Sequence, residues 1–228
     1  MSDDSPIKPI SLQAPPRSVM PGAGCNGLVA VDAAVHRHCG LVGRPPAAAF
    51  IDKDGTLVED VPFNVDPGLL RFTPRAVEGL SLLAAQGYQI VVVTNQPGIA
   101  LGLFDAPALV RLAAALTAML AREGITLRGF HACPHGGTAR GFAACACRKP
   151  APGLLRQAAR EHGLCLGRSW MVGDILDDIE AGRRAGCRTV LLDTGHETEW
   201  KCSDWRCPTH CASDLLDAAR LIVGTAVR

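Results

Sequence analysis

The sequence predicts an α/β fold in which a parallel sheet carries helices on both faces. Four short apolar, partly β-branched runs alternate with stretches of helical periodicity. This alternation is typical of βαβ units, whose crossover helices cover a parallel sheet. Ligands of such sheets bind beyond the carboxyl ends of the strands, so functional residues are expected where each apolar run stops.

The strand predictions rest on short length and β-branched content, and the helix predictions on a recurring apolar face. Thr73 is expected to cap the first helix, with Pro74 at its first position. Gly186 is expected to end the fourth helix. The predicted strands are 47–51, 89–94, 170–172 and 189–192, with a weaker one at 128–132. The predicted helices are 74–86, 106–123, 153–162, 175–185 and 215–223.

Two regions differ in composition. Residues 1–46 mix Pro, Gly and Ser with short apolar pieces and show no sustained period, which predicts a poorly ordered N-terminal extension. A short helix over 28–35 is an option within it. Residues 47–228 are expected to form one folded domain, since their length suits a single α/β unit.

Composition excludes several partner classes. The formal net charge is +1 without blocks of like charge, which argues against a nucleic-acid partner and leaves a small charged metabolite open. No apolar run approaches the ~20 residues that span a bilayer, and the early chain lacks the apolar core of a secretory signal. We therefore expect a cytoplasmic monomer. Its ten cysteines then indicate metal binding or catalysis, because cytosolic thiols stay reduced.

The first apolar run stops at Asp52-Lys53-Asp54-Gly55-Thr56. Side chains two positions apart on extended backbone point to the same side, so Asp52 and Asp54 can face one pocket. Asp52 is a candidate carboxylate nucleophile. Asp54 could protonate a leaving oxygen and then deprotonate the attacking water. Taken alone, the same string is also typical of an ordinary turn rich in Asp and Gly.

Polar groups also follow the later runs. Thr94 and Asn95 end the second run, where a hydroxyl and main-chain N–H groups can hold phosphate oxygens. Lys149 precedes a proline that keeps it out of helix, and it could neutralise a transferring phosphoryl group. Asp174 ends another run, and Asp178 follows one helical turn later, a spacing that suits Mg²⁺. The structural alternatives are a strand cap, a solvated lysine and an acid-rich helix start.

Two tight pairs of metal-ligand residues lie between the weaker strand and Lys149. They are Cys133-Pro134-His135 and Cys145-Ala146-Cys147. Four soft or borderline donors in two close pairs match a tetrahedral Zn²⁺ site without an open position. Such a site would be structural and would fold a Gly-rich loop. Free thiols in a flexible loop are the alternative.

In combination and in this order, the motifs resemble the signature of the haloacid dehalogenase superfamily of phosphotransferases over roughly residues 47–194. CPH…CxCRKP with DKDGT, TNQPGIA and MVGD is similar to the D-glycero-D-manno-heptose-1,7-bisphosphate 7-phosphatase family and its sister, histidinol phosphatase. The resemblance implies a Rossmann-like haloacid dehalogenase fold without a large cap domain, in which the zinc-supported loop partly shapes the pocket. It also implies Mg²⁺-dependent phosphate removal through an aspartyl-phosphate intermediate.

The same resemblance assigns roles to residues of this sequence. Asp52 is implied as the nucleophile, Asp54 as the acid/base and Lys149 as a third catalytic residue. Mg²⁺ is implied on Asp52, on the main-chain carbonyl of Asp54 and on Asp174. The implied substrate contacts are Thr94, Asn95, Gln96, Pro97, Arg148 and Lys149.

Three positions depart from the family pattern. Pro97 stands where Ser is common after TNQ, Leu101 replaces an Arg, and Ile175 replaces a Lys after GD. None belongs to the phosphoryl-transfer machinery, and all three bear on recognition of the rest of the substrate. We expect a sugar phosphate, with the 7-phosphate of a heptose bisphosphate favoured. The alternatives are a histidinol-phosphate phosphatase, a catalytically idle zinc-stabilised interaction module and a nucleic-acid 3′-phosphatase, the last disfavoured by the charge balance.

Other ligand-type residues lack paired spacing. A second metal site after residue 194 is a weaker hypothesis, resting on His196, Cys202, Cys207, His210 and Cys211. His131 and His162 are interpreted as structural residues.

Overall fold

A single mixed sheet organises the molecule. The computed structural model describes residues 10–13, 45–137, 145–201 and 203–226. Its strands are β1 (Ile10–Gln13), β2 (Ala48–Ile51), β3 (Gln89–Asn95), β4 (Leu127–Cys133), β5 (Trp170–Gly173), β6 (Arg188–Leu192) and β7 (His210–Ala212). They lie in the order β1-β4-β3-β2-β5-β6-β7. All strands run parallel except β1, which pairs antiparallel with β4 at one edge.

Helices cover both faces of this sheet, as predicted. The helices are α1 (Ala76–Ala85), α2 (Ala106–Arg122), α3 (Gly153–His162), α4 (Leu176–Ala185) and α5 (Leu215–Ala226). Val92 of β3 packs in a core cluster with α1, α2 and α5, while Val91 and Val93 pack in a second cluster with α3 and α4. This division follows from the alternation of side chains along a strand. Within the described ranges, no helix combines the length and apolar character that a bilayer crossing requires.

The predicted start of α1 is wrong. The helix begins at Ala76 after Arg75, whose φ is 61°, and no side chain caps it. The Thr73 hydroxyl instead donates to the Thr56 carbonyl at 2.7 Å, so it ties the turn after β2 to the start of α1. The start of α4 also shifts, because Ile175 is extended and lies before the helix.

Two short edge strands were not predicted. Ile10–Gln13, inside the segment expected to be irregular, form β1, and His210–Ala212 form β7. Neither segment contains a continuous apolar, β-branched run, and the pairing of an edge strand depends on the neighbouring strand rather than on local sequence. The option of a helix over 28–35 falls outside the described residues.

Candidate active site

Three carboxylates meet where the central strands end. Asp52 follows β2, Asp174 follows β5, and Asp178 lies in the first turn of α4. Because β2 and β5 are adjacent and parallel, their carboxyl ends share one edge of the sheet. One carboxylate oxygen of each residue lies within 4.8 Å of the others, and all three residues are buried. This edge therefore concentrates negative charge in a site shielded from water.

Lys149 neutralises part of that charge. Its Nζ lies 2.7 Å from Asp52 Oδ1 and 2.6 Å from Asp178 Oδ1, and it donates to the Val93 carbonyl at 3.1 Å. Burial disfavours the ammonium, but Asp178 and Asp52 outweigh burial and raise the pKa of Lys149. The lysine is thus a fixed cation between two carboxylates. Sequence reasoning singled out Lys149 and Asp178 separately but did not pair them.

Two residues implied as substrate contacts position catalytic candidates. Asn95 exchanges two hydrogen bonds with the main chain of Lys149, donating to its carbonyl and accepting from its N–H, both at 3.0 Å. Gln96 Nε2 donates to Asp54 Oδ2 and to the buried Thr94 hydroxyl, again at 3.0 Å. The end of β3 therefore fixes both Lys149 and Asp54.

The Asp54 carboxyl suits proton transfer. Burial raises the pKa of Asp54, although the neighbouring Lys53 ammonium pairs with it and opposes the shift. A raised pKa brings a carboxyl closer to the operating pH, where an acid/base catalyst works best. Lys53 is itself buried, and its pairing with Asp54 was not predicted.

Asp174 is held by two groups that sequence reasoning did not assign to this site. Thr56 Oγ1 donates to Asp174 Oδ1 at 2.8 Å, and His196 Nδ1 lies 2.7 Å from Asp174 Oδ2. Gly55 adopts φ 76°, and a Cβ there would lie 2.2 Å from Asp174 Oδ2, so only glycine permits this approach. The DxDGT string could have signalled Thr56, whereas nothing local in the sequence pointed from His196 to Asp174.

The oxygen donors of Asp52 and Asp174 fit a hard cation such as Mg²⁺, which binds through one or two carboxylates together with phosphate and water. Burial, followed by repulsion from Asp52, raises the pKa of Asp174. A cation between the two carboxylates would relieve that repulsion. Asp178 is already engaged by Lys149, so its carboxylate is the least available of the three.

The four predicted zinc ligands lie together as a second donor cluster. The three Sγ–Sγ distances are 3.5 Å for Cys133–Cys145, 3.3 Å for Cys133–Cys147 and 3.1 Å for Cys145–Cys147. His135 Nδ1 lies 3.4 Å from Cys133 Sγ and 3.2 Å from Cys147 Sγ. Bonds of about 2.3 Å to a central zinc imply sulfur separations of roughly 3.7 Å, close to these values. The cluster could therefore hold a tetrahedral metal ion.

Arg148 belongs to this loop. Its Nη1 donates to the His135 carbonyl at 3.2 Å, and its main-chain N–H points at Cys145 Sγ at 3.3 Å. Because Lys149 follows directly, the metal cluster and the buried lysine are joined by one residue. Pro97 lies in the turn after β3, where its carbonyl accepts from Leu101 N at 3.0 Å; its contact with substrate stays a prediction.

A cavity of about 410 Å³ adjoins the Asp174 side of the site. Its wall includes Thr56 and His196 together with the acidic residues Glu59, Asp60 and Asp214. These carboxylates make this wall of the cavity negatively charged. Among the described residues, His196, Cys207, His210 and Cys211 do not assemble into a metal cluster, and Cys202 falls outside the described residues.

Known proteins resemble this chain in sequence. A family model described as HAD-hydrolase-like matches residues 146–218. The D-glycero-beta-D-manno-heptose-1,7-bisphosphate 7-phosphatase of Pasteurella multocida is 40% identical over 151 residues, covering 65% of this chain and 82% of the relative. The protein of the same name from Photorhabdus laumondii is 38% identical over 158 residues, covering 65% and 81%.

Solved structures resemble it in fold. The D,D-heptose 1,7-bisphosphate phosphatase from B. bronchiseptica, complexed with magnesium and phosphate, superimposes with a TM-score of 0.67 at 28% identity. That match covers 78% of this chain and 99% of the other. A HAD-like phosphatase from Mesorhizobium loti gives a TM-score of 0.64 at 31% identity, covering 80% and 91%. The sequence and fold comparisons thus lead to the same group of phosphatases.

Proposed function

Since the chain belongs to the haloacid-dehalogenase-like family of heptose-bisphosphate phosphatases, we propose that it removes the 7-phosphate from a D-glycero-D-manno-heptose 1,7-bisphosphate. One observation supports the chemistry above all. Asp52 lies at the end of a central strand, with a buried ammonium 2.7 Å from its carboxylate. That arrangement provides a nucleophile and a charge partner in one shielded place.

The proposed reaction has two steps. A carboxylate oxygen of Asp52 attacks phosphorus, the bond to the sugar oxygen breaks, and the Asp54 carboxyl gives that oxygen its proton. The resulting aspartyl phosphate is then attacked by water, which loses a proton to Asp54 as phosphate leaves Asp52. The raised pKa of Asp54 and its hydrogen bond from Gln96 support this assignment.

Cations and hydrogen-bond donors held in fixed positions are proposed to stabilise the negative charge of the transition state. We assign Asp52, the Asp54 main-chain carbonyl and Asp174 to Mg²⁺, which when bound supplies positive charge to the phosphoryl oxygens. Lys149 is a second cation, and it already lies beside the nucleophile before the reaction begins, so it does not need to move into place. The Thr94 hydroxyl and the N–H groups after β3 are assigned to the phosphate oxygens.

The cysteine cluster is proposed as a structural zinc site on Cys133, His135, Cys145 and Cys147. Its role is to fold the loop that holds Arg148 and leads into Lys149. We expect Cys145→Ser to lose this zinc, because three ligands bind far more weakly than four. The variant should also unfold at a lower temperature, since structural zinc contributes binding energy directly to folding.

Metal analysis of protein purified without chelator, together with thermal unfolding, checks this expectation. Cys207→Ser is the matched control, because Cys207 is exposed and lies outside the cluster. It should keep the zinc content and the melting temperature of the parent. Full zinc retention in Cys145→Ser would remove Cys145 from the site.

Arg148 is proposed to recognise the distal phosphate. Its guanidinium is anchored by the His135 carbonyl, and a fork of N–H donors can grip a phosphate in a way that a lysine cannot. We expect Arg148→Ala to raise KM for the bisphosphate about tenfold or more, in line with a lost charged hydrogen bond. A small generic phosphate ester lacks the second phosphate, so its KM should change little.

Steady-state kinetics with both substrates checks the Arg148 assignment. Arg111→Ala, on the exposed face of α2, is the control and should leave both KM values unchanged. An equal rise in KM for the two substrates would show that Arg148 supports the structure of the loop and does not recognise the distal phosphate.

A second candidate substrate has support from one observation. The cavity beside Asp174 is lined by Glu59, Asp60 and Asp214, and these carboxylates would favour a cationic far end such as the amine of histidinol phosphate. Phosphate release from both substrates under identical Mg²⁺ conditions decides between them. A larger kcat/KM for histidinol phosphate would overturn the heptose assignment. Product NMR showing loss of the anomeric phosphate would overturn the assignment of the 7-phosphate.

The proposed setting is the cytoplasm, with a small phosphorylated sugar as partner and a monomeric chain. The cysteine cluster supports the cytoplasmic setting, because its thiols must be reduced to bind metal.

A further inference from the structure

A third cluster of ligand-type side chains lies outside the candidate active site. His131 is on β4, and Glu161 and His162 are in the last turn of α3. One ligand atom from each lies within 4.8 Å of the others. The two histidines are separated by 31 positions, so the fold rather than the local sequence brings them together.

The two imidazoles meet by their Nε2 atoms. These atoms are 3.1 Å apart, and the ring planes cross at 79°. His131 is fully buried, yet its Nδ1 has no hydrogen-bond partner among the described residues. The charged group facing that nitrogen is Glu161, with Oε2 4.0 Å away. The pair therefore leaves one buried polar atom unsatisfied, which is uncommon in protein interiors.

Glu161 is held in place by two hydrogen bonds. Ser11 of β1 donates to Oε2 at 2.7 Å, and Gln157 donates to Oε1 at 2.8 Å. A fixed carboxylate thus lies beside the two imidazoles.

Gly129 lets the two Nε2 atoms approach each other. A Cβ on Gly129 would lie 2.4 Å from His162 Nε2 and 2.9 Å from His131 Nε2. Any other residue at 129 would push the two nitrogens apart. The lack of a side chain at Gly129 therefore leaves space on β4 for both ring nitrogens.

We propose that His131, His162 and Glu161 form a second zinc site, separate from the cysteine cluster. Zinc–nitrogen bonds of about 2.0–2.1 Å imply an N–N separation of roughly 3.3–3.4 Å, so the rings need to open by only a few tenths of an ångström. Both Nε2 lone pairs turn to the ion, which places the remaining proton of His131 on Nδ1, toward Glu161. Glu161 closes the site with a carboxylate oxygen, and water completes the tetrahedron.

The site joins three elements of the fold. Its ligands connect β4 to α3, and the Ser11 hydroxyl on Glu161 adds the edge strand β1. Zinc here would fasten the antiparallel strand onto the sheet, outside the chemistry proposed for Asp52. Phosphate release should therefore be insensitive to its removal while thermal stability is not.

Equilibrium dialysis of the full-length reduced protein against Zn²⁺, with saturating Mg²⁺ present to occupy the Asp52 and Asp174 carboxylates, tests the proposal. We expect two ions per chain for the parent, one for His162→Leu, and two for Arg160→Ala, an exposed neighbour on α3. Glu161→Gln should weaken the second ion at least tenfold. A parent that stops at one ion, or His162→Leu that binds two, would overturn the site.

If His162→Leu does not fold, cobalt loading of the parent, again with saturating Mg²⁺ in the Asp52 and Asp174 site, provides an independent test. The first equivalents of Co²⁺ in the cysteine cluster should produce thiolate charge-transfer bands. A second equivalent should add ligand-field bands without further thiolate intensity, because its ligands are nitrogen and oxygen. Saturation at one equivalent would refute the proposal without any variant.

Discussion

Asp52→Asn is expected to abolish phosphate release, lowering kcat by about 10⁴-fold or more, as loss of a covalent nucleophile does in other enzymes. The amide is nearly the same size as the carboxylate but is not an anionic nucleophile. Lys149 would keep its second partner, Asp178, so the fold should survive. Phosphate monoesters hydrolyse extremely slowly without catalysis, so little background reaction remains to hide the loss.

Phosphate-release kinetics and thermal unfolding, measured on the same preparation, check this expectation. Asp193→Asn is the matched control, because Asp193 follows β6 at the same edge of the sheet and is exposed. It should retain parental kcat. Substantial turnover by Asp52→Asn would eliminate the aspartyl-phosphate mechanism proposed for this chain.

Patterns that repeat within a few residues were the ones that sequence could reveal. β2, β3, β5 and β6 contain continuous apolar, partly β-branched runs, and the observed bounds of each differ from the predicted ones by one residue. The strands that escaped prediction, β1 and β7, lack such a run and lie at the sheet edges. Their pairing depends on a partner strand that local sequence does not specify.

Spacing along the sequence also decided which of the metal-ligand clusters could be predicted. The close spacing of Cys133 with His135, and of Cys145 with Cys147, predicted one metal cluster, and the structure brings those four side chains together. The His131–His162 contact has no such signal, because the two residues lie on different elements. From the sequence they were interpreted as structural residues.

The contacts of the active-site carboxylates show most clearly what the sequence does not predict. Asp174 was recognised from its place after a strand, but its neighbours Thr56 and His196 approach from other loops. Sequence predicts which residue types end the strands. Packing decides which of them pair, and charge balance in a buried site depends on those pairs.

Lys149→Met should both stop catalysis and destabilise the protein. Methionine matches the length of the lysine stem but leaves Asp52 and Asp178 buried side by side without their common cation. Removing one partner of a buried ion pair costs about 3–5 kcal/mol. We expect a loss of that size in the free energy of unfolding at pH 7, measured by urea denaturation, and no measurable turnover.

The pH dependence of that loss follows from Asp178. Burial already raises the pKa of Asp178 well above its usual value, against the attraction of Lys149. Without the lysine, the folded-state pKa rises further above the unfolded value of about 4. A carboxyl with a raised folded pKa stabilises the protein fully below its unfolded pKa and loses that contribution as pH rises. The deficit of Lys149→Met relative to the parent should therefore shrink between pH 7 and pH 5.

The double variant Lys149→Met/Asp178→Asn separates stability from catalysis. Replacing Asp178 by its neutral amide removes the repulsion with Asp52, so the unfolding free energy should recover most of what Lys149→Met loses. Turnover should stay absent, because the cation beside the nucleophile is still missing. Recovery of activity together with stability would show that Lys149 acts only by holding the fold. Recovery of stability alone would show that the reaction itself requires the charge of Lys149.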